Sequence, residues 1–292
     1  MDRIIIEVGS TNTKIDIYNG NTIERLEEIT IPFKKHYFEK KQLNQNDVNT
    51  LINKILELKS DYKNIYVCGT SIFRVLPNEE KELFLEDFKS KTGIDFNIIS
   101  DEKETELTVI GATRFLKQKA CVFVCGGGST SVSFFDNKIT QSENSPFGVM
   151  DVMNKFQDLA NNYASTPLEE VIAYIERKIK IPNDTADVLI LTGGAHIRFV
   201  ENSGIKYEKN NLYFDPAAPI LQDSETRIKE TKRYFEEISL DEIRSKVDNP
   251  DWWYATRAMC ACVLVVLKHI KAKYIIPTNI AMVYGLVDDN NK

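Results

Sequence analysis

The chain has 292 residues, 42% of them hydrophobic, enough to bury a substantial core and, at roughly 100–200 residues per domain, to form two domains. Acidic residues number 43 against 37 basic, a net charge of −6, so there is no basic field of the kind that drives sequence-independent nucleic-acid binding, and nucleic acid is not expected as a partner. The three histidines (His36, His196, His269) are scattered and the five cysteines (Cys68, Cys121, Cys125, Cys260, Cys262) show no CxxC spacing; this argues against a zinc cluster and reads as reduced core thiols of a cytoplasmic protein.

Taken in chain order, residues 3–18 (RIIIEVGSTNTKIDIY) form an apolar run, a Gly/Ser/Thr tip and a second strand-like run, the pattern of a hairpin. The charged start Met1-Asp2-Arg3 enters this strand directly, without a signal-peptide pattern, and no membrane partner is expected. Residues 21–33 read as a third strand, and Val48, Leu51, Ile52 and Ile55 then repeat at helical spacing. A strand at 64–68 leaves through a Gly/Thr/Ser turn. Asn78 is expected to cap a helix ending near Gly93, 94–99 is a strand, and Ser100 should cap a helix that packs Leu107, Ile110, Gly111 and Phe115.

The second half repeats this order. A hairpin at 121–135 (CVFVCGGGSTSVSFF) is followed by a short third strand at 138–141, and Ser145-Pro146-Phe147-Gly148 opens a helix. Thr166 to Glu169 (TPLE) reads as a capping box with Pro167 at the first helical position, its helix stopping before Pro182. A strand at 188–191 leads into Thr192-Gly193-Gly194. Asn249-Pro250 should begin a long helix reaching about Lys271; its apolar run, 258–267, is about half of the roughly 20 residues needed to span a bilayer and reads as a buried helix. A last strand, 274–276, precedes the tail. Gly9 and Gly128 stand 119 residues apart, which suggests one structural unit used twice.

A hairpin tip of this composition exposes backbone amides and hydroxyls, and such a nest favours anions, phosphate above all. Three glycines in a row, Gly126 to Gly128, also fit a plain flexible turn; the duplication is what favours a site. Local positive charge for a polyanion would come from Lys14, Lys34, Lys35, Lys40, Lys41 and Arg74, residues that equally suit a solvated surface. Any metal here would take oxygen ligands.

Four stretches carry a resemblance to the Ppx/GppA family of exopolyphosphatases and guanosine pentaphosphate phosphohydrolases, within the actin-like ATPase superfamily. EVGSTNT at 7–13 resembles its first phosphate loop, DxGSNS, and GTSIFRVLPN at 69–78 resembles ATSALRDAxN, with Thr70, Ser71, Arg74 and Asn78 in place. TGIDFNIISDEKETEL at 92–107 resembles TGxxxxVISGEEEARL, and CGGGST with the following SPFG resembles DIGGGSTE and its LPLG. TGGAHIR at 192–198 is similar to a family turn, GTGGTIR; beyond Phe199 the likeness thins to Arg257-Ala258 and the terminal strand.

The resemblance implies a duplicated actin-like (ribonuclease H-like) α/β fold with mixed sheets, domains at 1–119 and 120–292, and a cleft between them. It places the general base on Glu104, a residue that by itself also reads as one of several solvated acids in a first helical turn. It implies phosphate contacts from Gly9, Ser10, Thr11, Asn12, Lys14, Arg74, Gly127, Gly128, Ser129 and Thr130, with Arg74 equally readable as a surface ion pair. It further implies Mg²⁺ or Mn²⁺ with Glu7 as a ligand, a small anionic substrate (polyphosphate or a guanosine polyphosphate), and a homodimer as seen among family members. The chain departs from the pattern at three places. The first-loop aspartate is Glu7, the second-loop aspartate aligns with Val124 and the glutamate after GGGST with Ser131, and the terminal GLREG is AMVYGL, with Val283 and Tyr284 where arginine and glutamate stand. Two functional readings follow: a phosphohydrolase with a reduced metal shell, or a phosphate- or nucleotide-binding regulatory protein of the same fold. A kinase is disfavoured by Val124, since it needs an acid near the second loop.

Overall fold

Both faces of the first strand are covered, which is why it reads as an unbroken apolar run. In the computed structural model, which describes residues 2–20, 22–201, 204–206, 220–246, 250–280 and 282–289, strand β1 (Arg3–Val8) turns into β2 (Asn12–Tyr18) and β3 (Ile23–Thr30). Helices α1 (Phe33–Lys40) and α2 (Gln45–Asp61) follow, then β4 (Ile65–Gly69), a 3-10 turn (Ser71–Arg74), α3 (Asn78–Thr92), β5 (Phe96–Ile98) and α4 (Asp101–Thr113). The sheet order is β3-β2-β1-β4-β5, antiparallel through the hairpins and parallel from β1 to β4 to β5. Ile4, Ile6 and Val8 pack on one side with Val48, Leu51, Ile52 and Ile55 of α2, while Ile5 faces Cys68 and Leu107 on the other.

The second sheet begins with β6 (Ala120–Cys125), β7 (Thr130–Phe135) and β8 (Ile139–Ser145), followed by α5 (Val149–Lys155) and α6 (Leu168–Glu176). Then come β9 (Val188–Thr192), α7 (Gly194–Glu201), β10 (Ile205–Lys206), β11 (Ile220–Asp223), α8 (Ser224–Glu236) and α9 (Leu240–Arg244). The chain closes with α10 (Thr256–Ile270), β12 (Tyr274–Thr278) and α11 (Met282–Asp289). In the order β10-β11-β12-β9-β6-β7-β8, the run β8-β7-β6-β9-β12 repeats the first sheet, with β6, β9 and β12 parallel. The duplicated mixed α/β fold is thus present, and β11 and β10 extend the second copy antiparallel.

The chain divides into Met1–Thr108 with Met282–Lys292, and Val109–Ala281. The boundary expected at 119/120 falls instead inside α4. Leu107 packs with Ile5 and Cys68, whereas Val109 and Ala112 pack with Ala120 and Val122, so one helix serves two cores. The stretch Trp253–Ile270 is apolar enough to span a membrane by length and composition (mean hydropathy 1.2), but 67% of it is buried, and the expected buried helix accounts for that apolarity.

Several local expectations change. The third strand stops at Thr30 rather than 33, because Pro32 intervenes and Phe33 opens α1; Asn21 lies outside the described residues. Pro77 holds the cap position of α3 and Asn78 is its first residue. Thr166 does not cap α6: its N–H and hydroxyl both donate to Asp158, at 2.7 and 2.8 Å, and Pro167 occupies the cap. Asn249 is outside the described residues, and Pro250 starts a 3-10 turn before α10. Ser100 caps α4 as expected, accepting from the Lys103 N–H at 3.2 Å. The five cysteines are free thiols, Cys125 being partly exposed and the others buried.

Candidate functional site

The two glycine tips are closed by the same pair of bonds. Val8 faces Thr13 and the Gly9 N–H donates to Asn12 O at 3.0 Å; Cys125 faces Thr130 and the Gly126 N–H donates to Ser129 O at 2.9 Å. Each residue of the first tip therefore matches the one 117 positions on, Gly9 with Gly126 and Thr13 with Thr130. The sequence pairing of Gly9 with Gly128 is two residues out. A run of glycines offers no side chain by which to fix the alignment, and the closing hydrogen bond supplies it.

The carbonyls of both tips are tied down. Ser10 O and Thr11 O accept from Lys34 and Ile31 (2.9 and 2.8 Å), and Gly126 O and Gly127 O accept from Val149 and Met150 at the start of α5 (3.0 and 2.8 Å). In a trans peptide the next N–H points opposite to its carbonyl, so Gly127 and Gly128 aim their amides away from α5. Among the described residues no protein group accepts the N–H of Ser10, Thr11, Gly127, Gly128 or Ser129. These five amides are the free backbone donors of the two tips. Gly9 is a correction: its amide is used in closing the tip, and an added Cβ would lie 2.9 Å from Asn12 O, so its part is shape. The Asn12 side chain is also engaged, donating to Glu28 Oε1 at 2.7 Å. Thr130 is buried with its hydroxyl unpartnered, and so is its counterpart Thr13, which sequence reasoning did not single out.

An arginine with two acidic partners lies in the first unit. The 3-10 turn after β4 delivers Arg74, whose guanidinium donates to Glu104 Oε2 (2.6 Å) and Ile99 O (3.0 Å) and pairs with Asp101 Oδ1 (2.6 Å). Asp101 as a second partner of Arg74 is a contact that sequence reasoning missed. Burial pushes the Glu104 carboxyl above the ordinary glutamate value; Arg74 opposes this, and the negative charges of Glu7 and Asp101 add to it. A raised carboxylate held in place by an arginine is suited to take a proton.

Glu7 lies opposite Lys14 across β1 and β2, with Oε1 3.5 Å from Nζ, while Oε2 is buried and unpartnered. That spare oxygen fits a hard cation. Among the described residues no three His, Cys, Asp or Glu side chains converge on a metal site. Glu7 is thus the single carboxylate that could contribute an oxygen to a cation here. In the second unit the position equivalent to Glu7–Lys14 is Val124–Ser131, a cross-strand pair that offers no carboxylate.

The other candidates have structural places. Lys34 contributes its backbone amide to the first tip from α1, which also includes Lys35 and Lys40, with Lys41 at its C-cap. Gly193 in the TGGAHIR turn adopts φ 124°, and His196 is buried with its pKa pushed down to about 3 by burial and the nearby Arg227, leaving it neutral at physiological pH. Arg257 is buried and donates to the carbonyls of Tyr234, Leu159, Asn161, Asn162 and Ile238, a clamp on loops. Val283 packs in the core of the first unit.

Residues 48–248 match the model of the Ppx/GppA phosphatase family. The chain is similar in structure to a Ppx/GppA family member from Aquifex aeolicus, with a TM-score of 0.79 and 20% identity over 100% of this chain and 97% of that one. It is also similar to an exopolyphosphatase from Cytophaga hutchinsonii, with a TM-score of 0.71 and 14% identity over 99% and 97% of the two chains. At these identities the likeness is one of fold, and with the repeated strand order it bears out the duplicated mixed α/β fold expected from the sequence. No match is found among curated proteins.

Proposed function

Because the chain belongs to the Ppx/GppA phosphatase family, we propose that it releases orthophosphate from the end of inorganic polyphosphate or of a guanosine polyphosphate. Glu104 takes a proton from water as the water oxygen bonds to the terminal phosphorus, and the bridging P–O bond breaks, its electron pair leaving with the shortened chain. The observation that supports this most directly is the Glu104 carboxylate, raised by burial and fixed at 2.6 Å by Arg74. The Ser10 and Thr11 amides hold phosphate oxygens at the first tip, and those of Gly127 to Ser129 form a second cradle. Lys14 and Arg74 offset negative charge. Mg²⁺ or Mn²⁺ beside Glu7 would neutralise and orient phosphate oxygens when bound.

The test is orthophosphate release from polyphosphate, pppGpp and ATP in parallel, with either metal, beside Glu104→Gln. Release that vanishes in the variant while binding persists is the expected outcome. A second reading draws on the Val124–Ser131 pair, which removes the second-loop acid: a binding protein would be thermally stabilised by one of these ligands and release phosphate from none. ATP consumption that depends on an added acceptor would instead indicate a kinase.

A further inference from the structure

Ser71 adopts a left-handed backbone conformation, φ 53°, which is uncommon for a residue with a Cβ. It opens the 3-10 turn that ends in Arg74, and that turn is tied to β1 by the Thr70 N–H donating to Val8 O at 3.1 Å. The Ser71 side chain meets the first glycine tip: Ser10 Oγ donates to Ser71 Oγ at 2.6 Å, a contact across 61 residues. Since the Ser71 oxygen is the acceptor in that bond, its own hydrogen is directed elsewhere. The Ser10 and Thr11 amides that find no protein acceptor belong to the tip it touches.

Glycine would adopt this backbone without steric cost. What serine adds is a hydroxyl, held against the first glycine tip and oriented by Ser10. We propose that Ser71 is a phosphate-binding residue, its O–H donating to an oxygen of the phosphate held by the Ser10 and Thr11 amides. The inference rests on the phosphohydrolase reading and deepens it. It adds a donor on the same short turn as Arg74, so one four-residue segment both grips phosphate and positions Glu104.

Substitution can separate the hydroxyl from the backbone shape. Ser71→Gly keeps the left-handed conformation without strain and removes the side chain with its hydroxyl; Ser71→Ala removes the hydroxyl alone and keeps the strain; Ser71→Asn tolerates the conformation and restores a donor. Binding of inorganic tripolyphosphate is measured by calorimetry beside steady-state hydrolysis, with thermal unfolding as the check on folding. The expected result is that Ser71→Gly unfolds at or above the wild-type temperature yet binds tripolyphosphate about tenfold more weakly, as loss of one hydrogen bond to a charged group implies. KM should rise more than kcat falls, and Ser71→Asn should recover part of the affinity. Wild-type binding by Ser71→Gly, whether or not Ser71→Ala is impaired, would overturn the proposal and assign Ser71 a backbone role. If Ser71→Gly binds and turns over like an active wild-type protein, the Ser71 proposal falls and the phosphohydrolase reading stands. If the wild-type protein neither binds nor hydrolyses any polyphosphate, both fall together.

Discussion

A carboxylate that takes a proton from water near neutral pH has to be less acidic than a free glutamate, and the surroundings of Glu104 push it that way. Burial contributes most, Arg74 works against it, and Glu7 and Asp101 push further upward from the ordinary 4.5. Turnover should therefore fall on the acid side with an apparent pKa above 4.5, because the protonated base is inactive there. Glu104→Gln should abolish that limb and lower turnover by about 10²- to 10⁴-fold, the usual contribution of a general base. Asp101→Asn removes a charge that raises the pKa and leaves Arg74 more fully to Glu104, so the limb should move to lower pH; a pH–rate profile that stays put would refute the coupling. Stability carries a sign as well. The native state binds more protons than the unfolded chain between 4.5 and the raised value, so the stabilisation is present below 4.5 and is lost as pH rises through that window. Glu104→Gln should flatten that dependence in denaturant titrations.

At the level of elements, the second glycine tip is shaped by the helix that it packs on. A Cβ on Gly148 would lie 2.4 Å from Gly126 O and 2.6 Å from Gly127 C, both backbone atoms that no rotamer change can move. Gly148→Ala should push the tip off α5, weaken the Val149 and Met150 bonds and cost about 1–3 kcal/mol, the range for overpacking. Gly128 has nothing within 4 Å of an added Cβ and no positive φ. Gly128→Ala should therefore change stability by less than about 0.5 kcal/mol, and thermal unfolding of the two variants side by side checks the contrast. The elements legible in the sequence were those whose pattern is local: the hairpins from strand runs broken by glycine, α2 from Val48, Leu51, Ile52 and Ile55, and α4 from its serine cap. Helix α8 was not legible, because its sequence SETRIKETKRYFE is mostly polar and its buried face is made of Arg227, Thr231 and Phe235. Likewise, Arg74 and Glu104 could be named from a motif, but the Ser10–Ser71 bond joins residues 61 apart and has no local signature. Thr166 was misread because a capping pattern says nothing of Asp158, eight residues earlier, which takes both of its donors. That carboxylate is pushed up by burial, but the bonds from Thr166 and Ser165 together bring it down to about 2.

For the whole molecule, the feature that no local pattern announced is the return of the C-terminal helix to the first unit. Met282, Val283, Leu286 and Val287 of α11 pack with Ile5, Cys68, Ile99 and Leu107, so the core behind β1 is completed by residues at opposite ends of the chain. Contact is closest at Gly285, where a Cβ would lie 2.0 Å from Leu107 O. Two effects oppose each other in Gly285→Ala. Alanine favours the helix by about 0.8–1.0 kcal/mol, whereas the clash is between backbones and can be relieved only by moving α11 away from α4, at about 1–3 kcal/mol or more. The steric term should win, and the first unit should unfold several degrees lower. Trp253 belongs to the second unit, so its fluorescence reports on that unit while circular dichroism follows both. The expected signature is an earlier circular-dichroism transition with the tryptophan transition little changed. Because Leu107 stands three residues after Glu104 on α4, the same substitution should also displace Glu104, the proposed general base, and lower turnover. Wild-type unfolding together with wild-type turnover would mean that α11 does not hold α4 in place, and that the position of Glu104 is set by Arg74 and the Ser100 cap alone.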